Sequence, residues 1–194
     1  MTTLELQADM RDQLGGGTAR NLIRSGKVPA IVYGFGQENL SVAVEAKAID
    51  KLFKSGCLTS TVIDLTVENK VHKTLVKYFQ LDPVKDTIRH LDLIFINPEA
   101  QNVDVPLAFE GKERSLGVKR GGFFNIIHRK LKISAPIAQI PQRISVNVVE
   151  MRVGSKLLAT DIVLPEGCSL AVKPDTLIAN IIGRGKGGAE EKAE

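Results

Sequence analysis

The stretch GGGTARNLIRSGKVPAIVYG, residues 15–34, packs a chain breaker, a short helix, a second breaker and an apolar strand into twenty positions. Three consecutive glycines end whatever precedes them. Thr18 is a suitable N-cap for a helix of about two turns, and Gly26 is a suitable left-handed stop. Pro29 is excluded from the helix interior, and AIVY, residues 30–33, reads as a buried strand closed by Gly34 and Gly36. A helix this short does not make the crossover of a doubly wound βαβ unit, which selects against a nucleotide-binding α/β fold. The phosphate-loop alternative also fails on spacing. The glycines are adjacent, no Lys-Ser or Lys-Thr pair follows, and no G-x-G-x-x-G is present.

The flanking segments alternate apolar and polar residues in the manner of strands. Residues 2–10 carry Leu4, Leu6, Ala8 and Met10 at every second position, and LSVAVE, residues 40–45, does the same. AKAIDKLFKSG sets Ile49, Leu52 and Phe53 on one helical face with Gly56 as terminator. TSTVIDLTV and VHKTLVKYFQ flank Glu68-Asn69-Lys70 as a hairpin, and IRHLDLIFI, residues 88–96, is a further strand. Strands with two short helices suggest a small barrel or sandwich with helical insertions. Asn97-Pro98-Glu99 marks the boundary of the first domain, residues 1–96. Beyond it VDVPLAFEG, KLKISAPI, RISVNVVEM, DIVLP and TLIANIIG read as short strands punctuated by prolines, giving a second all-β domain over residues 97–183. RGKGGAEEKAE, at residues 184–194, has the composition of a disordered tail.

Composition narrows the function classes. The 194 residues are 43% hydrophobic and 25% charged, as in an ordinary folded protein. No apolar run reaches the roughly 20 residues that span a bilayer, so no membrane association is expected. MTTLELQADM has no secretory pattern, and a cytoplasmic location is expected. Cys57 and Cys168 lack metal spacing and read as buried or half-buried thiols; no metal or cofactor is expected.

The chain has a net charge of +4, and its basic residues concentrate in two stretches. One, residues 11–34, holds Arg11, Arg20, Arg24 and Lys27 against Asp12. Arg20 and Arg24, at i and i+4, share one helical face and leave Leu22 and Ile23 to turn inward. Tyr33 can stack on a base or offer its hydroxyl. The alternative is a solvated helix with a structural tyrosine. In RHLDL, residues 89–93, His90 and Asp92 share one strand face while Leu91 and Leu93 take the other. No nucleophile accompanies the pair, which argues against catalysis; hydrogen bonding to a 2′-hydroxyl or base edge suits it as well as an edge-strand surface pair does. The second basic stretch, residues 112–132, includes Lys119, Arg120, Arg129 and Lys130 and is expected to lie partly on a mobile glycine-rich loop. It suits RNA or an acidic protein partner, or serves only solubility.

ARNLIRSGKVPAIVYG resembles the R-x-L-R-x-x-G-x-x-P-A-x-x-Y-G signature of a bacterial large-subunit ribosomal protein family that binds 5S ribosomal RNA, in its long, general-stress-protein form. The resemblance continues through FQLDPVKDTIRHLDL, VPLAFEG, GVKRGGFFN, ISAPIAQIP, ISVNV and VGSKLLATDIVLPEG, leaving only about the last dozen residues unmatched. It implies an N-terminal six-stranded β-barrel with short helices, binding 5S rRNA in its loop E region through a widened minor groove, followed by a second β-domain near the central protuberance of the 50S subunit. By position, Arg11, Arg20, Tyr33, Gln80, His90 and Asp92 match RNA-contacting residues of the family. Gly16, Asn21 and Ile23 stand where relatives often carry a lysine or arginine, shifting the helix contact toward Arg24 and Lys27. Neighbouring large-subunit proteins and rRNA are further implied partners, with no enzymatic activity and no small-molecule substrate. A stress-induced protein–protein adaptor acting off the ribosome through the second basic stretch is the alternative.

Overall fold

The computed structural model describes residues 3–11, 15–96 and 100–183. The expected domain boundary at 97–99 and the expected tail at 184–194 lie outside the described residues. The chain gathers into two compact units. One comprises Met1–Pro106, Lys132–Ile144 and Leu164–Ala171; the other comprises Leu107–Leu131, Ser145–Val163 and Val172–Glu194.

The first unit contains a closed six-stranded barrel, as the family resemblance implies. In chain order its elements are β1 (Thr3–Met10), α1 (Gly16–Arg24), β2 (Lys27–Tyr33), β3 (Leu40–Glu45), α2 (Ala46–Ser55), β4 (Val62–Val67), β5 (Lys70–Leu81) and β6 (Ile88–Phe95). Around the barrel the strand order is β1-β3-β2-β6-β5-β4. Closure comes from the parallel pair β1–β4, with β2 parallel to β6 and antiparallel pairing elsewhere. The every-second-residue pattern sends Leu6, Val32, Val44, Ile63, Leu65, Leu91 and Leu93 into the core, where each is buried. α2 adds Ile49, fully buried, and Leu52 and Phe53 pack against the same cluster. Gly56 ends that helix at φ 76°, the left-handed conformation that glycine adopts without a Cβ penalty. The β4–β5 turn places Glu68 and Asn69 at φ 46° and 69°, the positive values a two-residue hairpin of primed type requires. The buried hydroxyls of Thr59 and Ser60 are satisfied within this unit, donating to the carbonyls of Asp104 and Gln142.

α1 differs from the expectation at its start. It begins at Gly16 with Gly15 as N-cap, while Thr18 lies inside the helix and its hydroxyl donates back to the Gly15 carbonyl at 2.8 Å. Three glycines without side chains allow the helix to begin earlier than the capping residue. Its end is as expected: Gly26, at φ 82°, donates its N–H to the Ile23 carbonyl.

The later chain forms β7 (Ala100–Glu110), α3 (Leu116–Lys119), β8 (Phe123–Ile126), β9 (Lys130–Pro136), β10 (Ile144–Asn147), β11 (Lys156–Leu158), β12 (Ser169–Leu170) and β13 (Leu177–Ile182). These build a four-stranded sheet, β10-β7-β9-β12, and a three-stranded sheet, β11-β13-β8. Two segments differ from the expectation. The glycine-rich stretch around Lys119 and Arg120, expected as a mobile loop, holds the short helix α3, and Arg120, Gly121 and Gly122 form the turn from it into β8. DIVLP is not a strand: Ala159–Asp161 is a single 3₁₀ turn whose Asp161 carboxylate accepts the Leu158 N–H at 2.9 Å. Gly117 is the reason α3 fits. A Cβ there would stand 2.9 Å from the Arg152 carbonyl carbon and the Val153 nitrogen, inside van der Waals contact. The two thiols match expectation: Cys57 is buried and Cys168 half-buried, and burial raises the Cys168 pKa. No group of side chains suited to a metal occurs among the described residues, and no described helix is long and apolar enough to cross a membrane.

Candidate nucleic-acid interface

The expected site residues fall largely on one strip of the barrel's outer surface. Strand registers define a transverse row. Ile31 of β2 pairs with Ser41 of β3 on one side and with Asp92 of β6 on the other. Asp92 in turn pairs with Tyr78 of β5. Arg11 extends the row, because its backbone N–H donates to the Ser41 carbonyl at 2.9 Å and continues the β1–β3 ladder one position. Adjacent strands lie about 4.8 Å apart, so Arg11 stands about 14 Å along the strip from Asp92, three strands away. The next row holds Gln80 opposite His90. Tyr33, half-buried, pairs with Ile94 at the end of β2.

His90 and Asp92 are joined. The imidazole Nδ1 lies 2.8 Å from Asp92 Oδ1, and each side chain is about 30% exposed. The hydrogen bond fixes both side chains on the surface. A carboxylate offers about four acceptor positions, so this contact leaves Asp92 able to accept from an external donor.

Two β-bulges shape the strip. Between Val76 and Tyr78 the register shifts by one, leaving Lys77 as the extra residue of β5. Strict alternation would have turned Tyr78 inward behind Val76. The bulge instead exposes Tyr78, at 61%, and turns Phe79 toward the core, where its ring meets Phe53 edge-on at 5.5 Å. A second shift between Gln80 and Leu81 leaves Arg89 as the extra residue of β6. It lets Ile88 and Leu91 both point inward while His90 points out. Each bulge therefore adds an exposed cation beside the polar face. Arg89 Nε is 3.8 Å from Asp82 Oδ2. Asp82 is held below the ordinary carboxylate range first by the hydrogen bond from the Val84 N–H and next by that from Lys85, with Arg89 adding to them against partial burial.

α1 packs on β2, the strand that adjoins β6. Arg20 and Arg24 are exposed, while Leu22 and Ile23 are half-buried, as the i, i+4 spacing predicts. Sequence reading missed Tyr78, Ile31, Lys77 and Arg89. Only the bulges bring in Tyr78, Lys77 and Arg89, and no periodicity signals a one-residue insertion; Ile31 needs no bulge, since alternation between buried Ala30 and Val32 turns it outward in a strand read as buried throughout. Of the second basic group, Lys119 ends α3 and Arg120 follows as its C-cap; Arg129 precedes β9 and Lys130 begins it, all four exposed.

The strip has the composition of a surface that reads an RNA groove: cations for phosphates, hydrogen-bonding side chains for 2′-hydroxyls and base edges, and one exposed aromatic. Comparison with known proteins accords with this. The Ribosomal L25p family model matches residues 6–93, and the model of the ribosomal protein TL5 C-terminal domain matches residues 100–184. The Large ribosomal subunit protein bL25 of Rickettsia rickettsii (strain Sheila Smith) is 42% identical over 191 residues, covering 98% of this chain and 93% of its own. That of Rickettsia typhi (strain ATCC VR-144 / Wilmington) is 43% identical over 181 residues, covering 93% and 89%. That of Rickettsia akari (strain Hartford) is 41% identical over 191 residues, covering 98% and 95%. With both family models matched in order along one chain and relatives similar over nearly its whole length, the chain belongs to the bL25 ribosomal protein family in its long form, a family of structural proteins and not of enzymes.

Proposed function

We propose that this protein is a structural component of the large ribosomal subunit that holds 5S rRNA on the strip formed by α1 and the outer faces of β2, β6 and β5. The observation that carries this reading is the His90–Asp92 pair, fixed at 2.8 Å on a barrel face flanked by cations. A carboxylate next to phosphates is repelled, so its presence there makes sense against a donor, such as a guanine amino group or a 2′-hydroxyl in a minor groove. Arg20, Arg24 and Arg11 supply the phosphate contacts, and Tyr33 and Gln80 supply hydrogen bonds or stacking at the margins. Gly16, Asn21 and Ile23 contribute no charge, so binding rests on fewer cations and more on the hydrogen-bonding face.

In this reading residues 1–96 carry the 5S rRNA contact, residues 97–183 face neighbouring rRNA and proteins of the subunit, and the protein works in the cytoplasm on the ribosome. The comparisons lend no support to an adaptor acting off the ribosome. The test is a titration of the full chain with 5S rRNA and with an unrelated folded RNA of equal length, at one salt concentration. The reading requires clear preference for 5S rRNA; equal affinity for both contradicts it.

A further inference from the structure

The outer face of the three-stranded sheet β11-β13-β8 carries an exposed aromatic that the barrel site does not use. Phe123 is 70% exposed and pairs with Ile182, itself 50% exposed. The alternation of β8 and β13 puts Asn125 and Asn180 on the same face, one step along and directly paired, and Lys156 of β11 pairs with Asn180 from the other side. The row Asn125–Asn180–Lys156 is therefore about 10 Å wide. Lys119 and Arg120 lie just before β8 in the chain, and exposed Arg152 precedes Val153.

A solvent-facing phenylalanine is not there to pack this unit, since its partner ring in sequence, Phe124, takes the inner side against Phe109 at 5.6 Å. The face combines one flat apolar ring, the half-buried Asn125 amide, able both to donate and to accept, and bordering cations; the Asn180 Oδ1 is itself buried and is not offered to it. Lys119, Arg120, Arg152 and Lys156 are exposed cations of this unit. That charge favours a polyanion over a neutral or basic peptide. A ring on a sheet surface beside amides and cations is the arrangement on which unpaired bases stack.

We propose that this face binds single-stranded RNA, one unpaired base stacking on Phe123 with Asn125 contacting a base edge and Lys156 and Arg120 the flanking phosphates. The proposal rests on the reading of the chain as an rRNA-binding protein, but uses none of the residues of the barrel strip. Its test uses the full chain and a fluorescently labelled eight-nucleotide single-stranded RNA, followed by anisotropy at low salt, with a duplex of the same length as comparison. The single strand should bind more tightly than the duplex. Phe123→Ala should weaken it about tenfold, and Phe123→Tyr, which keeps a stacking ring, should bind within about twofold of wild type. Phe123→Ala should leave 5S rRNA affinity nearly unchanged, and Asp92→Ala should leave oligonucleotide affinity unchanged, so failure at one site is distinguishable from failure at the other. Because Phe123 is largely exposed, its variants should retain the wild-type circular dichroism and melting curve. Equal binding by wild type and Phe123→Ala overturns the proposal, as does preference for the duplex or loss of oligonucleotide binding in Asp92→Ala.

Discussion

His90 Nδ1 and Asp92 Oδ1 are 2.8 Å apart on the outer face of β6, two residues apart on one strand and joined side chain to side chain. The contact orients the carboxylate as well as the ring. Losing the imidazole would free Asp92 to sample other rotamers and lose a hydrogen bond to a charged acceptor. His90→Ala is therefore expected to weaken 5S rRNA binding by about 1–2 kcal/mol, at every salt concentration alike, since a charged phosphate contact is not removed. Parallel titrations of the two proteins across salt check this.

Leu91, between those two residues, points the other way and is fully buried in the barrel core. Leu91→Ala should destabilise by about 2–5 kcal/mol, the range for a leucine truncated in a packed interior. Denaturant unfolding reads the effect. A loss below about 1 kcal/mol would mean that the barrel collapses around the vacancy.

Gly117 tests the packing of α3. With backbone atoms of Arg152 and Val153 at 2.9 Å from a Cβ placed there, Gly117→Ala must displace backbone, not a flexible side-chain end. The expected cost is about 1–3 kcal/mol, seen as a lowered melting temperature, with 5S rRNA affinity at lower temperature unaffected.

Asp82 organises the turn between β5 and β6. Its carboxylate accepts the N–H groups of Val84 and Lys85 at 2.9 and 3.2 Å, and its folded pKa is depressed for that reason first. A depressed folded pKa gives stabilisation that is present above the unfolded carboxylate value and disappears as pH falls through the folded value. Hydrogen-exchange protection of the Val84 and Lys85 amides should therefore fall on acidification below the ordinary aspartate range. Asp82→Ala should show the low protection already at neutral pH.

Much of the barrel was legible because its strands obey simple alternation. LSVAVE maps residue for residue onto β3, and AKAIDKLFKS onto α2 with Gly56 as its stop. That His90 and Asp92 share a strand face followed from their i, i+2 spacing; the hydrogen bond between them did not. What alternation could not reveal was the insertion of Lys77 and Arg89 as bulges, because an extra residue is defined by the partner strand, not by its own neighbours. Tyr78 was hidden for that reason. The start of α1 was misjudged because Thr18 is a good cap by type, yet the helix begins at Gly16, ahead of it. In the later chain, β8 and α3 escaped notice because a four-residue element carries too little periodicity to read. Arg20 and Tyr33 were read from their own positions and matched by the family resemblance, whereas the roles of Arg11 and Gln80 came from the resemblance; the strand registers supply the geometry that relates Arg11 and Gln80 to Asp92.

The central claim is that cations of α1 and the carboxylate of β6 meet the same RNA in different ways. The most direct measurement is the affinity of the full chain for 5S rRNA across a salt series, for wild type, Arg20→Ala and Asp92→Ala. Arg20→Ala should weaken binding and flatten the log–log salt slope by about one unit or less, the signature of one lost phosphate contact. Asp92→Ala should weaken binding by about 1–3 kcal/mol with the slope unchanged, the signature of a lost donor-reading contact. Three superimposed curves, or tighter binding by Asp92→Ala, would contradict the account.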